Sequence, residues 1–425
     1  MEIVIDSLAY GGDGVGRYEG QAVFVPFTLP GDVVRCRVVQ RKKRYLRAEA
    51  VAWLQRGPGY SAPPCPVFGR CGGCQWQHIA YPEQVTFKDR LFRQILQREL
   101  RRDDLPVEPA VAAPSAWRYR HRVQYKCHFV PQGCQIGFYG RGSHFVHDVA
   151  SCRIAASAAD AVHAWLRTVI ERFPRPDRIP QVDVAVGDRG APTVILHLLA
   201  GQQVPPAVVA SARDRGFGLW LQRGRKATLR PVAAGEVPAI VVDEPPLVLE
   251  TVVGGFFQVN LEQNRHLVRT VIDYCDLRGD ESVLDLFCGV GNLTLPLARR
   301  CREATGVEDF APSVEKAVEN ARRNGISNAR FIARDAGRHV ASLDRAPDVV
   351  VLDPPRAGAI DCIRALLRLR PRRIVYVSCD PTTLARDLAP LLGQGYRLRR
   401  AVCLDLFPQT YHFESVCQLT DQAAE

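Results

Sequence analysis

The residue with the clearest potential for chemistry is a cysteine at the boundary between a predicted strand and a predicted helix. The β-branched run from Ile374 to Val377 predicts a buried strand, and Asp380-Pro381-Thr382 is typical of a capped helix start. Cys379 lies between them. The positive end of a helix dipole favours thiolate over thiol, so this position suits a nucleophile. The alternative is a small buried side chain, which is the commoner role of an arbitrary cysteine.

Three closely spaced cysteines predict a metal site. Cys65, Cys71 and Cys74 are separated by five and by two residues, and the glycines at 72 and 73 let the chain turn tightly around one centre. A fourth ligand is needed to close the site. The candidates for that ligand are Cys127, Cys134 and Cys152. Spacing alone favours zinc, and it differs from the CxxxCxxC pattern of radical enzymes. A thioredoxin-like redox pair is disfavoured because no βαβ pattern surrounds these cysteines.

A glycine turn in the C-terminal third predicts a cofactor site. The segment 282–292, SVLDLFCGVGN, has the order strand, turn, helix start, and Glu308 follows Asp285 by 23 residues, which suits a carboxylate at the end of the next parallel strand. A dinucleotide is the rival ligand. However, Thr294 stands where the dinucleotide fingerprint has its third glycine. Asp285 also suits the cationic tail of S-adenosylmethionine better than a pyrophosphate.

Further carboxylates are predicted at the same edge of the sheet. The strand 348–353 runs into two prolines, which hold Asp353 at the carboxyl rim where open α/β sheets bind ligands. Amino-methylating enzymes commonly carry an aromatic residue after two such prolines, whereas Arg356 stands here and indicates a different target. Glu414 precedes the terminal β run and is expected nearby, although a late glutamate is more often solvated.

Composition indicates a folded, basic, multidomain protein. A chain of 425 residues with 47% hydrophobic and 24% charged residues is too long for one ordinary core. The formal net charge of +11 favours a polyanionic partner, although charge alone is weak evidence. No signal pattern or bilayer-length apolar run is present, so we expect a cytoplasmic protein without a membrane partner. Fourteen cysteines in such a chain argue for metal binding or catalysis rather than disulfides.

The first 55 residues alternate short β runs with glycine turns, which predicts a small barrel. The basic stretch 41–44, RKKR, gives this barrel a cationic edge. Its segment 7–17, SLAYGGDGVGR, with the strand 24–27 and the turn 30–32, resembles a TRAM domain, an OB-like RNA-binding module. The alternative is a generic small barrel.

The middle of the chain, 56–250, is predicted to be an α+β domain. A helical pattern covers Tyr81 to Glu99, a proline-rich linker follows, and 117–126 interleaves aromatic residues with cations. The cations of such a segment can bind phosphates while its aromatic rings stack on bases. Alternatively, the segment is a plain surface strand with its arginines exposed to solvent and its tyrosines in the core. The segment 83–116 is a candidate to pack with the C-terminal domain, for which 251–425 predicts a parallel α/β sheet.

Several of these motifs together resemble the RNA uridine-5 methyltransferases. The resemblance rests on 256–260 (FFQVN), 285–292 (DLFCGVGN), 353–358 (DPPRAG), Ser378-Cys379-Asp-Pro and 407–410 with Glu414. It covers nearly the whole chain and is strongest for the branch that acts on 23S ribosomal RNA, which combines a TRAM domain with an iron–sulfur cluster. It implies a Rossmann-like class I methyltransferase domain after the TRAM and α+β domains.

The resemblance also implies roles for individual residues. By family position Cys379 is the nucleophile and Glu414 the base. The cofactor-binding or pocket positions correspond to Gln258, Phe287, Asn292, Glu308, Asp335 and Asp353. The ligands of a [4Fe-4S] cluster correspond to Cys65, Cys71, Cys74 and Cys152. The expected cofactors are therefore S-adenosylmethionine and the cluster.

The resemblance implies a covalent mechanism on a flipped uridine of 23S ribosomal RNA. Thiolate addition at C6 makes C5 nucleophilic, and a base then removes the C5 proton. We expect a monomer that binds RNA and not DNA. Three alternatives remain: a uridine-5 methyltransferase of tRNA, a non-catalytic RNA-binding assembly protein, and an amino-methyltransferase, which would tolerate loss of Cys379.

Overall fold

The N-terminal strands form a closed barrel. The structure is a computed structural model that describes residues 1–424. Alternating apolar residues, such as Ile3 and Ile5 of the first strand, point into the barrel and are buried. The strands lie in the order β1-β2-β3-β5-β4. Their bounds are β1 Glu2–Leu8, β2 Gly14–Tyr18, β3 Gln21–Val25, β4 Val33–Arg41 and β5 Tyr45–Gln55. The predicted OB-like barrel is confirmed.

A long helix connects the barrel region to the C-terminal sheet. Helix α1 (Tyr81–Leu100) follows an irregular cysteine-containing segment and ends where Arg101 adopts a left-handed conformation. Its apolar face, including Phe92 and Leu96, belongs to the same core as the C-terminal α/β layer. Farther on, the amide of Val111 donates to the carbonyl of Cys403 at 2.8 Å. The chain after α1 therefore runs along the edge of the C-terminal sheet.

The middle of the chain forms a seven-stranded sheet in the order β12-β11-β10-β9-β6-β7-β8. Its core includes Trp165 and Tyr125, both fully buried. The strands are β6 Arg122–Val130, β7 Gly133–Tyr139, β8 Val146–Asp148, β9 Gln181–Ala185, β10 Thr193–His197, β11 Gly218–Gln222 and β12 Arg230–Ala233. The helices are α2 Ser157–Val169 and α3 Pro206–Asp214, with 3₁₀ turns at Ile170–Arg172, Pro176–Arg178 and Lys226–Thr228.

The C-terminal sheet is mostly parallel and has the order β17-β16-β15-β18-β19-β21-β20, preceded by a β13–β14 hairpin. The strands are β13 Ala239–Val242, β14 Leu247–Glu250, β15 Ser282–Leu286, β16 Glu303–Glu308, β17 Ala329–Ala333, β18 Val349–Leu352, β19 Arg373–Ser378, β20 Tyr396–Leu404 and β21 Glu414–Asp421. The helices are α4 Leu261–Cys275, α5 Thr294–Ala298, α6 Ala311–Arg323, α7 Ala336–Ala341, α8 Ile360–Leu369 and α9 Pro381–Gly393, with a final 3₁₀ turn Gln422–Ala424.

Strands of this sheet alternate with helices along the chain, so the predicted α/β fold class is confirmed. The strand order reverses between β15 and β18, which pair in parallel. Ligands of open α/β sheets bind outside the carboxyl ends of the strands at such a switch point. None of the helices within residues 1–424 is long and apolar enough to cross a bilayer.

Candidate active site

The predicted site residues of the C-terminal domain gather at the carboxyl rim of its sheet. Asp285 lies in β15, Glu308 ends β16, Asp353 follows β18 directly, and Cys379 follows β19. Because these strands are parallel neighbours, their carboxyl ends meet at one edge. Glu414 reaches the same edge from the opposite direction, since it begins the antiparallel strand β21.

Strand register places Cys379 opposite Glu414. Ser378 pairs with Ser415 in the antiparallel ladder, so the next position of each strand end faces the other. The hydroxyl of Ser415 donates to the carbonyl of Ser378 at 2.9 Å and fixes this end of the ladder. Because Cys379 directly follows the last residue of β19 and Glu414 is the first residue of β21, this pairing brings a thiol and a carboxyl to the same end of the ladder.

The surroundings of Cys379 do not favour its thiolate in the way that the sequence predicted. Burial raises the pKa of the Cys379 thiol to about 11, and the charge of Glu414 adds to the increase, whereas Arg356 opposes it through its charge and a hydrogen bond. The helix start offers little compensation because Asp380 accepts hydrogen bonds from the amides of Thr382 and Thr383, at 2.9 and 3.1 Å. Desolvation and carboxylates therefore outweigh the helix dipole.

Burial favours the protonated form of two carboxyls beside the thiol, namely the half-buried Asp353 and the buried Glu414. Burial raises the pKa of Asp353 to about 7, and a long hydrogen bond of 3.5 Å from the amide of Gln258 opposes the increase. Burial also raises the pKa of Glu414 well above its ordinary value, helped by the charge of Asp353 and opposed by Arg356. These carboxyls can therefore donate as well as accept protons near neutral pH.

Arg356 is a neighbour of the thiol that the sequence analysis did not include among the site residues. Its guanidinium Nη2 lies 3.4 Å from Nδ1 of His412. Burial and the charge of Arg356 lower the pKa of His412 to about 4, so the imidazole is neutral and can accept this hydrogen bond. The sequence signal that could have identified Arg356 as a site residue is its position after the two prolines, where amino-methylating enzymes commonly carry an aromatic residue.

A cavity beside these residues has the properties expected of a cofactor site. It is lined by Gln258, Asp285, Phe287, Asn292 and Asp353, together with Ile240, Phe256, Phe257, Cys288, Gly289, Val290 and Leu293. Phe287 and Gly289 both have positive φ, 67° and 55°, and shape the turn. The cavity therefore opens onto the carboxyl rim at the point where the strand order reverses.

One carboxylate oxygen in this cavity has no partner. Asp285 is fully buried, and its Oδ2 accepts a 2.5 Å hydrogen bond from Thr294 while its Oδ1 is unpaired. Burial raises the pKa of Asp285 to about 7. An unpaired buried acceptor is costly and is explained by a donor that arrives with a ligand. The cationic amino acid portion of S-adenosylmethionine fits this requirement.

The remaining predicted cofactor residues differ in what they contact. Glu308 accepts hydrogen bonds from the amides of Gly289, at 3.1 Å, and Phe310, at 3.0 Å, so it fastens the glycine turn. Asn292 exchanges two amide hydrogen bonds with Asn264. Asp335 does not line the cavity; it is exposed and caps α7 by accepting from the amide of Arg338 at 2.8 Å.

The loop that precedes Glu414 is held in place by an ion pair and by hydrogen bonds from residues distant in the sequence. We call residues 405–413 the catalytic loop. A buried ion pair joins Lys88 of α1 to Asp405 at 2.6 Å, and Lys88 also donates to the carbonyl of Phe407 at 3.0 Å. The hydroxyl of Tyr119 donates to the carbonyl of Pro408 at 2.9 Å. Sequence reasoning missed Lys88 because it lies among other charges in a helix that resembled a solvated one.

Four of the predicted metal-site cysteines line one cavity of about 260 Å³, namely Cys65, Cys71, Cys74 and Cys152. Burial raises the pKa of the Cys71 thiol to about 11 and that of Cys74 to about 12. Neighbouring thiols add to both increases, and a cationic centre would reverse them. Residues 1–424 contain no group of three His, Cys, Asp or Glu side chains placed to hold a single metal ion.

The two other candidates for the fourth ligand lie apart from this cavity. Cys127 and Cys134 contact each other across the β6–β7 hairpin, and neither lines the cavity. The thiol of Cys152 is a better placed fourth donor. The amides of Ile154 and Ala155 donate to it, which suits a thiolate ligand.

The two tyrosines of 117–126 are core residues rather than a stacking surface, whereas Trp117 is half-buried. Tyr119 is 3% exposed and Tyr125 is fully buried. Arg118 bonds Asp160 at 2.9 Å beside the cysteine cavity. The alternative interpretation, a strand with Tyr inside, therefore describes this segment. The exposed cations of 41–44 on the barrel remain available to a polyanion.

Comparison with known proteins identifies the family. Residues 237–422 match the model of the family described as tRNA (Uracil-5-)-methyltransferase, and residues 1–51 match the TRAM domain. The chain is 37% identical to a 23S rRNA (uracil(1939)-C(5))-methyltransferase RlmD of Azoarcus sp., over 97% of this chain and 98% of the relative. It is 34% identical to the protein of the same name from Aeromonas hydrophila, over 98% and 95%.

A solved structure gives the same result. The Pyrococcus abyssi tRNA (uracil-54, C5)-methyltransferase in complex with S-adenosyl-L-homocysteine is 26% identical, with a TM-score of 0.76, over 99% of this chain and 100% of that one. The similarity thus extends through the barrel and the middle sheet as well as the methyltransferase domain. The chain belongs to the family of RNA (uracil-C5)-methyltransferases.

Proposed function

We propose that this enzyme transfers a methyl group from S-adenosylmethionine to C5 of a uridine in 23S ribosomal RNA. The observation that carries the proposal is the placement of Cys379 opposite Glu414, beside the cavity in which Asp285 has an unpaired oxygen. The substrate class follows from the relatives named as 23S rRNA methyltransferases, which match over nearly their whole length. We further propose a monomer that acts in the cytoplasm on RNA and not on DNA.

Cys379 is proposed to act as the nucleophile. C5 of uracil is a poor nucleophile until a group adds at C6, because addition moves electron density onto C5 and the O4 carbonyl. The Cys379 sulfur forms the bond to C6. With a thiol pKa of about 11, this attack requires loss of the thiol proton, which is proposed to pass to the carboxylate form of Asp353 as the sulfur approaches C6. Glu414 and Asp353 are the carboxyls whose charges act on the thiol, and Arg356 stabilises the thiolate.

Asp353 is proposed to stabilise the developing enolate. A carboxyl with a pKa of about 7 is partly protonated at neutral pH, so it can donate a hydrogen bond to O4 as negative charge grows there. S-adenosylmethionine, when bound, supplies the electrophilic methyl group to C5. Its positive charge beside Asp285 and Asp353 would also lower the pKa values of the buried carboxyls.

Glu414 is proposed to remove the proton from C5 after methylation. Loss of that proton restores the C5–C6 double bond and expels the Cys379 thiolate. The base must be ionised for this step, and Arg356 favours the carboxylate of Glu414. C6 is inaccessible within stacked RNA, so the uridine must be flipped into the pocket.

We assign the remaining positions by family correspondence and by location. Gln258, Phe287 and Asn292 are proposed to contact the cofactor or the base from the cavity lining. Glu308 is proposed to bind the ribose hydroxyls. Asp335 lies after β17, the neighbour of the strand that carries Glu308, and is proposed to lie near the far end of the cofactor. The proposed domains are 1–55, 56–250 and 251–425.

The four cysteines of the 260 Å³ cavity are proposed to hold a [4Fe-4S] cluster. Four thiolates around one zinc would lie roughly 3.8 Å apart, since the Zn–S bond is about 2.3 Å. A polynuclear cluster requires ligands spread around a larger body. The lining of one cavity by four thiols, together with the family correspondence of their positions, supports the cluster over the zinc suggested by spacing.

Methyl transfer to defined RNAs tests the proposed function. The purified protein is incubated with labelled S-adenosylmethionine and with unmodified transcripts of 23S ribosomal RNA and of tRNA, and nucleosides are analysed by mass spectrometry. We expect 5-methyluridine at one site of the ribosomal transcript. Label in tRNA alone would instead favour the activity named for the Pyrococcus abyssi structure. Methyl on nitrogen would contradict the uridine assignment.

A further inference from the structure

A loop of the barrel reaches the proposed nucleophile. Residues 9–13, which connect β1 to β2 and which we call the barrel loop, include the half-buried Tyr10. Its hydroxyl donates a hydrogen bond to the backbone carbonyl of Cys379 at 3.4 Å. The donor and the acceptor are 369 residues apart in the sequence. The barrel is therefore in direct contact with the turn that carries the thiol.

Aromatic packing holds Tyr10 against the catalytic loop. Its ring meets Tyr411 edge to face at a centroid distance of 5.5 Å and Phe413 at 5.9 Å. Edge-to-face pairs of this kind stabilise a defined ring orientation. Phe413 immediately precedes Glu414 in the chain. One side chain of the barrel thus contacts the backbone of Cys379 and the residue next to Glu414.

The barrel loop is fixed in place and is not a free surface turn. The indole of Trp76 donates to the carbonyl of Gly12 at 3.1 Å, and the amide of Ala9 donates to the carbonyl of Asp13 at 2.9 Å. Gly12 has φ of +92°, and a Cβ there would come within 3.1 Å of Tyr411. The close approach of the barrel loop to the catalytic loop therefore requires glycine at this position.

The neighbours of the Cys379 carbonyl are bonded within the methyltransferase domain. Ser378 accepts from the Ser415 hydroxyl, and the carbonyl of Asp380 accepts from the amide of Leu384 at 3.0 Å. Pro381 has no amide to contribute to this turn. The amide of Asp380 donates to the Ser378 hydroxyl at 3.2 Å, so the peptide that joins Cys379 to Asp380 is held on its N–H side within the domain and on its carbonyl side by Tyr10. The orientation of this peptide sets the direction of the Cys379 side chain.

We infer that Tyr10 is a positioning residue for Cys379, so that the barrel forms part of the active site in addition to any role in binding RNA. The inference rests on the proposed role of Cys379 as the nucleophile. Attack on C6 requires a near-attack geometry, and small displacements of a reacting group lower rates strongly. Tyr10 contributes by holding the turn 378–380, without contacting the base or the cofactor.

Single-turnover kinetics of Tyr10→Phe test this inference. The variant keeps the ring contacts and loses only the hydroxyl. With excess enzyme, saturating S-adenosylmethionine and the 23S transcript, we expect the maximal methylation rate to fall about three- to tenfold, the usual effect of one lost hydrogen bond. The dissociation constant of the transcript should stay within about twofold. Tyr10→Leu, which also loses the ring contacts, should be slower still.

Tyr18→Phe is the matched control, since Tyr18 lies on the same barrel and is 37% exposed. It should leave the rate unchanged. The pH dependence of the Tyr10→Phe rate should be parallel to that of the wild type, because positioning changes the rate without changing which groups ionise. A wild-type rate in Tyr10→Phe would overturn the inference, as would weaker RNA binding at an unchanged maximal rate or a shifted pH profile.

The failure of this inference is distinguishable from failure of the proposed function. If wild-type enzyme makes no 5-methyluridine, the proposed function fails and the barrel loop is not at issue. If wild-type and Tyr10→Phe enzymes methylate the transcript equally fast, the proposed function stands and the positioning role fails. Binding of S-adenosylhomocysteine by each variant confirms that the methyltransferase domain is folded.

Discussion

Arg356 should control the reactivity of the Cys379 thiol, and Arg356→Gln tests this directly. The guanidinium hydrogen-bonds the thiol and lowers its pKa against the effects of burial and of Glu414. Glutamine keeps a polar side chain of moderate length but removes the charge. Arg356→Lys is the matched control, because it retains a positive charge at the same position.

The size of the effect follows from Coulomb's law. Unit charges about 4 Å apart interact by about 1 kcal/mol in water and about 4 kcal/mol at an effective dielectric constant of 20. Arg356 is exposed, so the lower part of this range applies, about 1.4 kcal/mol or one pKa unit. The thiolate fraction should then fall about tenfold. Intrinsic nucleophilicity rises about threefold with one unit of thiol pKa, so the net loss is about threefold.

Alkylation without RNA isolates this effect from substrate binding. Iodoacetamide is added between pH 7 and pH 9, and mass spectrometry quantifies the modified peptide that contains Cys379. This range lies below the thiol pKa of about 11, so the rate should rise with pH in every variant. Arg356→Gln should be about threefold slower at each pH, and Arg356→Lys close to wild type. Equal rates for Arg356→Gln and wild type would refute the electrostatic role of Arg356.

Three further predictions concern the fold and the cofactors. Lys88→Met leaves the buried carboxylate of Asp405 unpaired and should destabilise the domain by about 3–5 kcal/mol, measured by urea unfolding; a smaller loss than about 1 kcal/mol would contradict the structural role of the pair. Asp285→Asn should weaken S-adenosylhomocysteine binding by about 10- to 100-fold in calorimetry, since it removes a charged hydrogen bond, and unchanged affinity would exclude that contact. Anaerobically purified protein should contain iron and sulfide that Cys152→Ser loses and Cys127→Ser keeps; zinc without iron would refute the cluster.

Local sequence patterns predicted the fold and the placement of several candidate site residues at one edge of the sheet. The β-branched run before Cys379, the glycine turn after Asp285 and the two prolines after Asp353 each have a local physical cause, namely strand propensity, backbone freedom or a fixed φ. Parallel strand order then places these residues at one rim. The barrel was similarly predictable from regular short strands and turns.

Features that depend on burial and on distant contacts could not be predicted. A thiol at a helix start was expected to ionise readily, but burial raises its pKa, and the two carboxyls that add to this increase come from segments distant from Cys379 in the sequence. In the sequence Lys88 resembles a surface residue, because its burial depends on the packing of α1 against the catalytic loop. The contact of Tyr10 with Cys379 joins two domains and leaves no local pattern in either.

Trapping of the covalent intermediate tests the central claim most directly. Glu414→Gln enzyme is incubated with S-adenosylmethionine and the 23S transcript, then denatured, and protein–RNA adducts are separated by electrophoresis and located by peptide mass spectrometry. Without the base, the methylated intermediate should persist as a stable adduct at Cys379, and Cys379→Ala should abolish it. Absence of an adduct in Glu414→Gln while the wild type still makes 5-methyluridine would contradict the proposed roles of both residues.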